Sequence, residues 1–334
     1  MKTTLVLATL CGVALASTSA VAQDSGFEWE GSIEIGVDST LSSDDPTAEL
    51  TDAYILIEAA FEAALTDRIK AFGGLTFESV SDPVASRHFG DLGLYVSELG
   101  LRFDLGGAVV SAGKMSPIFG VAWDAAPGFY GTSLAGDYEL AEMIGLTVDT
   151  PVASTGGVLS FAVFYADDSF LSDSIGSKRG RNSVAAGGVG NTGKLNNFAI
   201  QYSQEFGETT AWIGARQLSA GVGDVSDETG VVGGLAHDFG NGFDGIVEVA
   251  HFNGAGGLDQ NATYATLGGA YGTGDWTFSS TATLVDTQSG TDSMIALGVD
   301  RALSERAEIN FGLARFDVGG VKSTAAGLAA VVSF

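Results

Sequence analysis

The segment Gly188-Val189-Gly190-Asn191-Thr192-Gly193-Lys194 matches a GxGxxG string and most of a phosphate-binding loop. That chemistry requires a Ser or Thr after the lysine to hold magnesium, and a following helix whose first amides face the phosphate. Leu195 follows instead, in a long polar stretch between strands, so the segment reads as an external loop. The three histidines, His88, His237 and His251, form no HExxH pair. Neither a GxSxG elbow nor a cysteine-based zinc spacing is present, which argues against a hydrolase. His237 and His251 share the phase of apolar neighbours near strand ends and read as interface residues. Carboxylates are the abundant chemical resource: 41 Asp and Glu against 15 Lys and Arg, a formal net charge of −26. Such an excess disfavours nucleic acid, whose phosphates need a basic face. It favours divalent cations and cationic solutes. Structural Ca2+ across loops is one expectation, from the Asp44-Asp45, Asp167-Asp168 and Asp173 regions, although the ligand spacing of a calcium loop is absent. No other cofactor is expected.

These carboxylates sit on a chain with a clear organisation. Met1-Lys2, the apolar run from Leu5 to Ala16 and the small residues ending Ala20-Val21-Ala22 read as a signal peptide over 1–22. The run is too short to span a membrane as a helix. Cleavage would start the mature chain at Gln23 and remove the only cysteine, Cys11, leaving no disulfide and no thiol.

Residues 23–334 read as a single domain. Their hydrophobic period is two nearly throughout. In Glu28–Val37, the residues Trp29, Ile33, Ile35 and Val37 share one face, and Glu28, Glu30, Ser32 and Glu34 share the other. Ile55, Ile57, Ala59 and Phe61 oppose Glu58 and Glu62 in the same way; Leu99, Leu101 and Phe103 oppose Glu98, Arg102 and Asp104. Sixteen strands of about ten residues are predicted, joined alternately by short turns and by longer polar loops, the longer ones including 117–139, 167–194, 286–291 and 317–322. An even strand number, alternation and loop asymmetry predict an all-β fold, a transmembrane antiparallel β-barrel. Closure would satisfy every backbone group in the bilayer. A soluble β-sandwich rarely needs sixteen strands, and the short repeat of a β-helix is missing. Trp29, Trp212, Trp276, Tyr54, Tyr95, Tyr202 and Phe334 are expected in interfacial aromatic belts.

Two segments carry a family resemblance. The terminal run Leu328-Ala329-Ala330-Val331-Val332-Ser333-Phe334 resembles the last strand of Gram-negative outer-membrane barrels, which ends on an aromatic. After the fifth strand, Gly113-Lys114-Met115-Ser116-Pro117-Ile118-Phe119-Gly120, then Trp123-Asp124 and Gly136-Asp137-Tyr138-Glu139-Leu140, resembles the third loop of general trimeric porins. The resemblance implies a sixteen-stranded barrel in the outer membrane, reached through the periplasm and set among outer-membrane lipid and lipopolysaccharide. It also implies a homotrimer with one channel per subunit. Its third loop would fold into the pore and place acidic residues opposite a basic wall.

The residues themselves supply candidates for that constriction. Asp124, Asp137, Glu139 and Glu142 crowd the loop and its exit. Strand parity directs Arg68, Lys70 and Arg102 to the lumen, because a charge facing lipid at mid-bilayer costs roughly 2–4 kcal/mol. Opposed charged rows in a narrow pore select by charge. The family's wall carries more arginine than this one, which favours cations. The expected function is passive diffusion of ions and small hydrophilic solutes, with no bond made or broken. Two rival expectations are a substrate-specific channel, in which Phe119, Trp123, Phe129, Tyr130 or Tyr138 stacks on a sugar, and a plugged structural or adhesive barrel.

Overall fold

The computed structural model describes residues 26–334; the predicted signal peptide, 1–22, lies outside them. Sixteen long strands follow one another: β1 Phe27–Ser43, β2 Thr51–Thr66, β3 Ile69–Ser79, β4 Leu92–Asp104, β5 Val109–Met115, β6 Met143–Val152, β7 Gly157–Ala166 and β8 Asn197–Phe206. The second half comprises β9 Thr209–Leu218, β10 Glu228–Gly240, β11 Phe243–Asn253, β12 Asn261–Thr273, β13 Trp276–Thr287, β14 Gly290–Ser304, β15 Ala307–Val318 and β16 Val321–Ser333. Each strand pairs antiparallel with the next, and β1 pairs with β16 in the register Ile35↔Ala330, closing the barrel.

Closure turns the period of two into an outside and an inside. Ile35, Ile213, Leu267, Ile295, Leu297 and Leu328 are exposed on the outer face. Their sequence neighbours Glu34, Trp212, Thr266 and Ala296 point inward, where the last three are buried. Among the described residues no helix is long and apolar enough to cross a membrane.

Of the aromatics expected in the interfacial belts, Trp29 and Trp276 are exposed, at 62% and 42%, and Trp29 packs on Phe334 with ring centroids 5.2 Å apart. Trp212, Tyr54 and Tyr95 are corrections. Trp212 is buried, and the Tyr54 and Tyr95 hydroxyls donate to Glu34 and Glu78, both at 2.5 Å. All three occupy inward positions of their strands, which residue type alone had obscured. Tyr202 bonds at the turn side to Thr155 and Gln204.

The connections depart from expectation at one end of the chain. Two-residue turns join β13 to β14 (288–289) and β15 to β16 (319–320), where long loops were expected. The polar residues there continue the ladder: Asp286 pairs with Thr291 and Asp317 with Lys322. On that same side the connections 116–142 (loop 3) and 167–196 (loop 4) are the longest.

Candidate functional site

Loop 3 takes its position from inward-facing side chains. Glu248 on β11 lies between the exposed Val247 and Val249, so the strand period alone turns it inward. It is buried and accepts four hydrogen bonds: from the amides of Val121 (2.7 Å) and Ala122 (3.1 Å), from Trp212 Nε1 (2.5 Å) and from the Tyr138 hydroxyl. Gln201 on β8 accepts from the amide of Gly120 at 2.7 Å. The four donors satisfy the oxygens of this buried carboxylate, as a buried charged group requires. Beside it, Arg216 on β9 donates to Glu228 (2.7 Å) and to the Tyr138 carbonyl (2.6 Å), and lies over the rings of Phe119 and Phe252. Phe119, Tyr138, Phe252 and Tyr264 complete an aromatic cluster.

The loop then runs across β12–β16 over small residues. The Pro127 carbonyl accepts from Thr281 at 2.7 Å, and the Tyr130 hydroxyl donates to Asp38 on β1 at 2.5 Å. A Cβ built on Gly268 would sit 2.5 Å from the Pro127 ring, and one on Gly327 2.1 Å from the Phe129 ring. These glycines let the loop lie directly on the wall. Phe119, Tyr130 and Tyr138 are buried in this packing, so their faces are occupied by protein.

The opposite edge of the loop carries Asp124 and Glu139, whereas Asp137 stays beside β12. Asp137 accepts from the Tyr264 hydroxyl at 3.3 Å. Glu139 feels the charges of Asp124, Glu142 and Glu58, and Glu58 on β2 feels those of Glu78, Glu34 and Asp124. Acidic residues of the loop thus lie near acidic residues of β1–β3, where a basic wall was expected. Among the described residues no Lys or Arg is within ion-pair distance of Glu34, Glu58, Asp124 or Glu139. Burial pushes the carboxyls of Asp124, Asp137 and Glu139 above the ordinary carboxylate range; for Glu139 the neighbouring charges add to it.

The predicted cations lie elsewhere. Lys70 and Arg102 are directly opposite on β3 and β4, and both pair with Glu62 on β2, Lys70 at 2.8 Å. Arg68 is in the exposed two-residue turn between β2 and β3. Glu142 is held by Lys114 (2.5 Å) and by both Nη atoms of Arg179 (2.7 and 2.6 Å). The structure therefore brings Asp124 and Glu139 together and keeps Arg68, Lys70 and Arg102 apart from them. Glu248, Arg216, Glu228 and Glu58 were not singled out from sequence, although strand parity turns Glu248 and Glu58 inward.

The acidic residues considered for calcium have protein partners. Asp44 accepts from the Lys322 amide, Asp45 from Thr47, Asp167 pairs with Lys114 and Asp173 with Lys178. The Asp168 carbonyl accepts from Arg181. Among the described residues no three His, Cys, Asp or Glu side chains are gathered closely enough to hold a metal ion.

A closed antiparallel barrel with an apolar exterior and a charged interior defines a transmembrane β-barrel. Its fold is that of the Gram-negative outer-membrane porins. The outer membrane channel DcaP of Acinetobacter baumannii superposes with a TM-score of 0.68 at 12% identity, covering 92% of this chain and 97% of that one. OprB of Pseudomonas putida gives 0.67 at 13% identity, covering 92% and 94%. The anion-selective porin of Comamonas acidovorans gives 0.58 at 15% identity, covering 93% and 100%. No family model matches the sequence, and no curated protein is similar to it.

Proposed function

We propose that this chain is an outer-membrane porin through which ions and small hydrophilic solutes diffuse passively, with a preference for cations. Loop 3 narrows the channel, and the remaining path runs between its acidic edge and β1–β4. The observation that carries this reading is the set Glu34, Glu58, Asp124 and Glu139, which has no ion-pair partner among the described residues. Fixed negative charge in a low-dielectric pore concentrates cations and repels anions. The Comamonas porin has the same fold and is anion-selective, so the sign of selectivity must come from side chains, not from the barrel. In this reading outer-membrane lipid and lipopolysaccharide surround the apolar band, the chain arrives through the periplasm, and three copies form a homotrimer. No bond is made or broken.

Against a sugar-specific slide stands the burial of Phe119, Tyr130 and Tyr138. The test is the current carried by the purified barrel in a planar bilayer. Stepwise openings, in groups of three for a trimer, are expected. A folded barrel that carries no current would instead be the plugged, structural protein.

A further inference from the structure

Two buried charges serve no part of this path. Lys114, at the end of β5, and Asp167, at the start of loop 4, have side chains 1% exposed and pair at 2.9 Å. Lys114 donates to Glu142 at 2.5 Å and to the Leu171 carbonyl at 3.0 Å, while its contact with Asp167 is an ion pair that gives the Asp167 Oδ2 no hydrogen bond. Glu142 is the exit residue of loop 3. Its φ of +54° is left-handed, a conformation that a residue with a Cβ holds only when its surroundings demand it. Its carboxylate is gripped by the fork of Arg179, from the middle of loop 4, which also donates through Nε to the Ser172 carbonyl at 2.8 Å. The Arg179 guanidinium stacks 3.7 Å over the Tyr95 ring, and the Tyr95 hydroxyl holds Glu78.

The backbone shows why loop 4 reaches this far. β5 has only seven residues, and its last pair with β4 is Lys114↔Leu99. Residues 92–98 of β4 stand beyond it with an open edge. Loop 4 lies against that edge, pairing Ile175 with Leu94 and Gly176 with Gly93. An open strand edge is unfavourable in a membrane protein, so the loop has reason to be fixed there.

We propose that loop 4 is a strap that fixes the acidic limb of loop 3, and that Glu142 is the positioning residue through which it acts. Glu142 is then a fastener, and not a filter group. It lies three residues after Glu139, and its carboxylate is neutralised by Lys114 and Arg179. Release of Arg179 frees the 139–142 limb, and the distance between Glu139 and Glu58 is no longer fixed. The proposal rests on the reading of this edge as the cation path.

The test compares the full-length purified barrel with Arg179→Ala and Arg179→Lys, each first shown to be folded by circular dichroism and heat-dependent gel mobility. Hydrogen exchange across 119–142 and the reversal potential in a potassium chloride gradient are then measured. Loss of a cation would by charge alone raise cation preference; release of the limb lowers it. The strap predicts that Arg179→Ala speeds loop 3 exchange roughly tenfold and lowers cation preference, and that Arg179→Lys recovers part of both. If Arg179→Ala does not fold, Arg179→Lys against wild type carries the same comparison, because it keeps the charge and loses the fork. Unchanged loop 3 exchange in a folded variant, or a rise in cation preference, would overturn the strap. A wild-type barrel without cation preference would refute the cation path, and the exchange result would still decide the strap.

Discussion

The two walls of the lumen are built by the same alternation and do opposite things. Along β12–β16 the inward positions are mostly small or hydroxylated: Gly268, Gly298, Gly312, Gly327, Ala296, Ala314, Ser279, Thr281 and Thr283. Loop 3 lies on this wall, with Phe129 and Tyr130 packed against its small residues. Along β1–β4 the inward positions include Glu34, Asp38, Asp52, Glu58, Glu78 and Glu98, with tyrosines bonded to three of them, while Lys70 and Arg102 are engaged by Glu62. The lesson is that the inner face of a barrel need not be uniform. Side-chain size decides where a loop can settle, and charge on the uncovered side decides what passes.

The largest effect is expected from removing the pin on the covered wall. Glu248→Ala leaves two loop amides, the Tyr138 hydroxyl and Trp212 Nε1 buried without their acceptor, at about 1–3 kcal/mol for each group left unsatisfied. Loop 3 should leave the wall, the unfolding midpoint should drop, and single-channel conductance should rise. Next is Gly327→Val, which pushes a side chain into the Phe129 ring and should destabilise by about 1–3 kcal/mol. Adding Phe129→Ala should restore most of that loss in denaturant unfolding, because it empties the space the valine needs.

On the uncovered wall the expected effects are on selectivity, with little change in stability. Asp124→Asn with Glu139→Gln should move the reversal potential toward zero while the unfolding free energy changes by less than about 1 kcal/mol. Acidification should do the same to the wild type. The folded barrel holds the Glu139 proton more tightly than the unfolded chain does, so the negative charge is lost on descending from neutral pH before an ordinary glutamate, near 4.3, would lose it. The sign for stability follows: raising pH through that window costs stability, because the unfolded state has already released the proton. A titration of reversal potential against pH checks the first point, and unfolding midpoints across the same range check the second. The smallest effect belongs to Lys70→Gln. Lys70 is half exposed and engaged by Glu62, so its loss should cost about 0–1 kcal/mol and leave selectivity nearly unchanged.

Much of this architecture is legible in the sequence, because an inside and an outside follow from a period of two. The sixteen strands lie within a few residues of where alternation puts them, and the inward turn of Glu34, Glu58, Lys70 and Arg102 follows from their apolar neighbours. Errors arose where residue type overrode parity, as with Trp212, Tyr54 and Tyr95, and where polar composition was read as loop, as around Asp286 and Asp317. The candidate site was less legible. Asp124 and Glu139 stand out as acidic residues of one loop, but their partners across the lumen depend on how loop 3 lies. That is set by contacts more than a hundred residues away in sequence, such as Val121 with Glu248. The neutralisation of Glu142 depends on loop 4, whose Arg179 carries no periodic signal at all.

The most direct measurement is the reversal potential of the purified barrel in a planar bilayer under a potassium chloride gradient, taken beside the Asp124→Asn, Glu139→Gln variant. A cation-selective sign that weakens in the variant is the predicted result. An anion-selective sign, or a cation-selective sign that the variant leaves unchanged, would contradict the assignment of selectivity to the acidic edge of loop 3 and the wall it faces.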